Sequence, residues 1–134
     1  MALLFVQFKE VRKARDWLRV LIPQIATTAQ VAAFNEKFSA ARRNAGGDDP
    51  QKLKATWIGL SLTHPGLQFL TERERIFPEV PERSALDAYV QGAATRATLM
   101  GDVEENEPSG WLFGQEDEDK VVHAVLTLAS DADL

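Results

Sequence analysis

The stretch from residue 57 to residue 70, WIGLSLTHPGLQFL, changes its periodicity halfway along. Up to Thr63 the residues alternate between two faces, which predicts a β-strand. The wholly apolar set, which should face the core, is Ile58, Leu60 and Leu62. Thr63 suits a helix N-cap and Pro65 is tolerated in a first helical turn, so a short helix should follow. The stretch therefore predicts a strand and a helix joined at a tight corner, with His64 in that corner.

Segments on either side of this corner carry their own patterns. A short apolar run, Leu3–Phe8, predicts a buried strand. The next residues, 9–26, predict an amphipathic helix that Pro23 ends or kinks near Leu21 or Ile22. Its apolar face consists of Ala14, Trp17, Leu18, Leu21, Ile22 and Ile25. A further helix could form through Val31, Phe34 and Phe38, before a loop that contains two glycines and a proline.

The second half of the chain predicts one more helix and one more strand. Residues 84–101 have apolar side chains at three- and four-residue spacings, with Gly101 as a C-terminal stop. Within this helix, Gly92 is expected to permit close packing. Residues 121–129, VVHAVLTLA, are typical of a strand. The element order β, α, possible α, β, short α, α, β predicts a sheet with helices packed against one face.

Composition excludes several classes of function. The length of 134 residues suits one domain, and the net charge of −5 argues against a nucleic-acid surface or an anionic membrane as the main partner. There is no cysteine, which excludes disulfides and thiolate metal sites and fits a cytoplasmic protein. The sequence contains no apolar run long enough for a bilayer span, and its first ten residues lack the pattern of a signal peptide.

The two histidines are the obvious candidates for chemistry, and a structural role is favoured for both. His64 at a strand-to-helix corner could face a ligand or could simply fill the first turn of the helix. His123 is expected inside the last strand, on the face of Val121, Val125 and Thr127, half-buried with one hydrogen bond. Their spacing does not match a helix-borne zinc pair.

Other motifs do not name a reaction either. The acidic run at residues 116–120, EDEDK, lacks the glycine and distal glutamate of an EF-hand loop, so a solvated loop is favoured. Neither a phosphate-binding glycine loop nor a G-x-S-x-G nucleophile elbow is present. The tryptophans at 17, 57 and 111 are too scattered for a base-stacking platform.

The order of these segments resembles the N-terminal part of dye-decolourising (DyP-type) haem peroxidases. LLFVQF followed by ARDWLRVLIPQI is similar to the first strand and helix of that family, and WIGLSLTHPGLQFL is similar to its next strand and short helix. A helix of the form G-x-x-x-R-x-x-x-L-G-D corresponds to Gly92, Arg96, Met100, Gly101 and Asp102. Met100 replaces the usual leucine, and Ala93 stands where methionine is usual. A tryptophan loop at Trp111 and the V-H-x-x-L strand at residues 122–126 complete the likeness.

The resemblance implies an α+β, ferredoxin-like sheet of the dimeric α/β-barrel type, with helices on one face. It implies one partial domain over residues 1–134, which lacks one of the family domain's four strands and carries a helical insertion at about 64–120 between its second and third strands. We expect strand 121–129 to pair antiparallel with strand 57–63.

The resemblance also implies hydrogen-peroxide-dependent oxidation of organic substrates at a haem in a longer parent protein. The family's G-x-x-D-G motif and its haem-ligating histidine would fall beyond Leu134. Neither His64 nor His123 aligns with that ligand, so this chain should supply scaffold without catalytic, haem-binding or metal-binding residues. The alternative is a non-catalytic α/β interaction module. Either version predicts that the sheet is completed by the missing C-terminal half or another chain, and a homo-oligomer is expected.

Overall fold

The computed structural model describes residues 1–50, 52–115 and 117–131, and in them the chain forms a three-stranded antiparallel sheet. The strands are β1, Ala2–Val6, β2, Thr56–Leu62, and β3, Ala124–Ser130. β3 lies in the centre and pairs antiparallel with both neighbours, in the order β1-β3-β2. The α+β, ferredoxin-like class is thereby confirmed, as is the antiparallel pairing of the second and third strands.

Five α-helices lie between the strands in the described residues. They are α1, Val11–Leu21, α2, Thr28–Asn44, α3, His64–Thr71, α4, Ala85–Thr95, and α5, Ala97–Met100. α1 ends at Leu21, as the proline at position 23 predicts, and a short 3₁₀ turn follows it. The further helix that the sequence allowed through Val31, Phe34 and Phe38 is present as α2. Thr27 is its N-cap and forms a capping box with Gln30. None of the described residues forms a helix long and apolar enough to cross a bilayer.

The core lies between the sheet and the helices α1 and α3. Its buried centre consists of Phe8, Ala14, Leu70 and Ala124. Partly buried side chains pack around this centre: Val6, Trp17, Leu18, Leu60, Leu62 and Phe69. The predicted inward face of β2 is therefore correct at Leu60 and Leu62. α2 packs elsewhere, since its Phe34 ring lies nearly perpendicular to the Trp57 ring, at a centroid distance of 5.4 Å.

The last strand begins three residues later than predicted, because the chain bulges at His123. The amide of His123 donates to the carbonyl of Val6 at 2.9 Å, although the strand partner of Val6 is Ala124. Two consecutive residues thus oppose one residue of β1, as in a β-bulge. The expectation that His123 shares a face with Val125 is wrong, since its ring packs against Phe8 in the core.

The helix predicted over residues 84–101 is broken at Gly92, so the prediction of one continuous helix is wrong. Gly92 has φ 72° and ψ 174°, a conformation that side chains with a Cβ rarely adopt. A Cβ placed there would have no atom within 4 Å. The glycine is therefore explained by backbone conformation, and the expected role in close packing is wrong.

The two edges of the sheet differ. On the outer edge of β2, the carbonyl of Ile58 accepts from the amide of Ala26 at 2.8 Å, and that of Leu62 accepts from the Tyr89 hydroxyl at 3.0 Å. On β1, the Val6 carbonyl faces β3, so by alternation the backbone groups of Leu3 and Phe5 point away from the sheet. No described residue pairs with those backbone groups. The β1 edge is thus open along an apolar strand.

Candidate functional site

The corner between β2 and α3 is built around the Thr63 side chain. Its Oγ1 accepts the amide of Gly66 at 3.1 Å, which confirms the predicted N-cap, and donates to the carbonyl of Val122 at 2.6 Å. The Thr63 amide donates to the carbonyl of His123 at 3.1 Å. One threonine therefore begins α3 and fastens it to the start of β3.

Gly66 allows α3 to lie directly on this start of β3. A Cβ at Gly66 would sit 1.9 Å from the carbonyl oxygen of His123 and 2.8 Å from its carbon. Both distances are far below van der Waals contact, and the atoms belong to backbone that a side-chain rotation cannot move away. Only glycine fits this position, so the G of the THPGL segment is a packing requirement.

His123 is enclosed in the same junction, with only 7% of its surface exposed. Its Nδ1 accepts the amide of Phe8 at 2.8 Å, so the neutral ring carries its proton on Nε2. The ring stacks between Phe8 and Phe69, at centroid distances of 5.4 and 4.9 Å. Burial lowers the pKa of His123 below its ordinary value of 6.5, and the positive charge of Lys9 lowers that pKa further.

His64 is the first residue of α3 and lies outside this junction. Its ring is half-buried, stacked on Phe77 at 6.2 Å and against the edge of Tyr89 at 6.1 Å between ring centroids. It also lines a cavity of about 460 Å³. The other described lining residues come from the start of α3, the break in α4 and residues 114–122: Thr63, Pro65, Gln68, Val90, Gln91, Gly92, Ala93, Ala94, Gly114, Gln115, Val121 and Val122.

The residues of the G-x-x-x-R-x-x-x-L-G-D pattern lie at helix ends in this structure. Gly92 breaks α4, and Gly101 ends α5 in the left-handed conformation with φ 89°. The amide of Asp102 then donates to the carbonyl of Ala97 at 2.9 Å, which closes the helix end. Met100 is half exposed. The glycines of this pattern are therefore explained by the places where helices break or end.

The tryptophans and the acidic run, the remaining candidates from the sequence, do not come together in one site among the described residues. Trp17 packs beside Phe8, Trp57 beside Phe34, and the Trp111 indole donates to a loop carbonyl at 2.8 Å, so the three tryptophans serve separate elements. Within the described ranges, no group of three or more His, Asp or Glu residues could hold a metal ion. Glu116, the first residue of the acidic run, lies outside the described residues.

The described residues do not fit a haem. The Nδ1 of His123 is occupied by the Phe8 amide, its Nε2 carries the proton, and two aromatic rings cover its faces, so neither nitrogen can ligate iron. His64 opens onto a cavity in which the described residues offer no lysine or arginine for the haem propionates.

Comparison with solved structures places the fold. The chain is similar to an ancestral D-type dye decolorizing peroxidase, with a TM-score of 0.61 and 22% sequence identity over 97% of this chain. It has the fold of part of a dye decolorizing peroxidase. The resemblance stated from the sequence is confirmed at the level of the fold. The chain spans 24% of the length of that peroxidase chain. No protein-family model matches this sequence, and no curated protein matches it either.

The close approach at Gly66 predicts a large loss of stability on Gly66→Ala. The added methyl group must displace backbone at His123, which should cost about 3 kcal/mol of unfolding free energy, the upper end of the usual range for overpacking. Urea unfolding followed by tryptophan fluorescence measures this cost. Gly110→Ala is the matched control, because its Cβ would meet nothing closer than 4.0 Å. Equal midpoints for the two variants would contradict the packing argument.

The lowered pKa of His123 predicts that acid destabilises the fold. In the unfolded chain the imidazole takes up a proton as the pH falls through about 6.5, whereas the folded state resists protonation to a lower pH. The unfolding free energy should therefore fall from about pH 6.5 downward. His123→Gln keeps an acceptor for the Phe8 amide without a titratable ring, so its free energy should fall less steeply. Urea unfolding of both proteins from pH 7 to pH 5 tests this, and identical slopes would refute it.

Proposed function

We propose that this chain is the N-terminal portion of a DyP-type haem peroxidase, an oxidoreductase that uses hydrogen peroxide to oxidise organic substrates. The observation that carries the proposal is the fold match over 97% of the chain. The ordered sequence motifs support it independently, because they run from the first strand through the G-x-x-x-R-x-x-x-L-G-D helix to the V-H-x-x-L strand. The haem would be held by the rest of that protein.

Within this proposal the chain supplies scaffold and no catalytic residues. The contacts of the motif residues support this role: Thr63, Gly66 and His123 join strands to a helix, and Gly92 and Gly101 break or end helices. A cytoplasmic location belongs to the proposal as well, supported by the absence of cysteine.

The open β1 edge supports a partner for the sheet. Leu3, Leu4 and Phe5 are each about half exposed, at 50%, 46% and 48%, and two of them carry outward-facing backbone groups. An apolar edge strand with unpaired amides and carbonyls is a template for another strand. We infer that the remaining part of the polypeptide, or another copy of the chain, covers this edge. The same edge is what favours the alternative function, a non-catalytic interaction module.

The first test of the proposal is haem binding by the isolated chain. Because the nitrogens of His123 are unavailable and the described residues around His64 include no lysine or arginine for the haem propionates, titration with haemin should give no sharp Soret band at one equivalent and no peroxidase turnover. The chain joined to the coding sequence that follows it should give both, provided that this sequence encodes G-x-x-D-G and a haem-ligating histidine. A stoichiometric Soret band of the isolated chain that His64→Ala or His123→Ala abolishes would contradict the scaffold role. A downstream sequence without those motifs would favour the interaction module.

The β1 edge predicts concentration-dependent association of the isolated chain. Sedimentation velocity should show dimers or larger species as the concentration rises, and Phe5→Lys should shift the distribution toward monomer, because a charge on an edge strand discourages pairing. Val20→Lys, which replaces an exposed apolar residue on α1, is the matched control. A wild-type chain that stays monomeric at high concentration would argue against a strand-completing partner.

A further inference from the structure

The cavity beside His64 has features of a ligand site that the scaffold role does not use. Its volume of about 460 Å³ lies within the range of small-molecule pockets. Its walls are fixed from two sides: Thr63 anchors the start of α3, and the Tyr89 hydroxyl ties α4 to the end of β2. Such a cavity is formed before any ligand enters.

The hydrogen-bonding groups around this cavity include both acceptors and donors. Three glutamines line it, and each donates at least one amide hydrogen to the protein. The Nε2 of Gln68 donates to the Glu74 carbonyl at 2.6 Å, and that of Gln91 donates to the Asp87 carboxylate at 2.7 Å. The Nε2 of Gln115 donates to the carbonyls of Trp111 and Pro108.

These bonds leave the three carboxamide oxygens available as acceptors. No described residue donates a hydrogen bond to them, and none pairs with the ring nitrogens of His64. An acceptor without a protein donor is satisfied by water or by a ligand that donates. The second amide hydrogens of Gln68 and Gln91 and a ring N–H of His64 stand beside these acceptors. The cavity therefore favours a ligand whose groups both donate and accept hydrogen bonds, as hydroxyl groups do.

Charge narrows the class of ligand further. The described lining residues include no Lys, Arg, Asp or Glu, so neither an anion nor a cation would find a partner of opposite charge. An uncharged ligand loses less hydration on entry than an ion would. We propose that this cavity binds a small uncharged polyhydroxy compound of about monosaccharide size. The proposal does not depend on the peroxidase assignment.

A nuclear magnetic resonance titration of the full chain with D-glucose tests the proposal. The ring C–H signals of His64 and the backbone amides of Gln91 and Gln115 should shift and saturate together, with a single dissociation constant. This readout uses the unmodified chain, so it does not depend on the folding of a variant. Absence of saturable shifts, or saturation only at distant residues, would overturn the proposal.

Two variants and two competing probes make the test specific. Gln91→Leu removes one exposed acceptor and should weaken glucose binding about fivefold, the effect of one hydrogen bond. Gln24→Leu is the matched control, because Gln24 also donates to a group four residues earlier but lies outside the cavity, and it should leave binding unchanged. Equal affinity in the Gln91→Leu protein would overturn the assignment. So would tighter binding of inorganic phosphate or benzylammonium at the same signals.

Discussion

The backbone at His123 is the point on which the rest of this structure depends. Its carbonyl accepts the amide of Thr63, its amide donates to Val6, and its oxygen lies where any side chain at residue 66 would be. Its ring adds the bond from the Phe8 amide. His123 is therefore the residue at which β1 and β2 end, β3 begins and α3 makes its first turn. Among the described residues no large side chain is fully buried, so the apolar core is small. The hydrogen bonds at His123 therefore add to the stability that this core provides.

Local patterns in the sequence predict what local physics determines. The alternation in residues 57–63, the helical spacing in α1 and the N-cap at Thr63 are properties of a few neighbouring residues, and all three are confirmed. The break at Gly92 is different, because an apolar three- and four-residue spacing continues through it. A glycine in such a pattern fits close packing or a left-handed turn equally well, and only the backbone angles distinguish them.

Long-range contacts explain the other differences from the sequence prediction. His123 has one hydrogen bond, as predicted, but its partner Phe8 lies 115 positions away. The bulge at His123 places an extra residue opposite β1. As a result, β3 begins later in the sequence than predicted, and the His123 ring lies in the core. No signal within residues 121–129 encodes that register, since it depends on β1. The cavity beside His64 was equally hidden, because its three glutamines are far apart in the sequence and lie around one cavity only in the folded chain.

Amide hydrogen exchange measures most directly whether the His123 junction holds the elements together. If it does, the amides of Phe8, Thr63 and His123 should exchange only through global unfolding, with opening free energies equal to the stability from urea unfolding at the same pH. The amides of α2, which has no buried residue, should exchange through smaller openings. The account would be contradicted if these three amides exchanged as readily as those of α2, since the junction could then open while the fold persists.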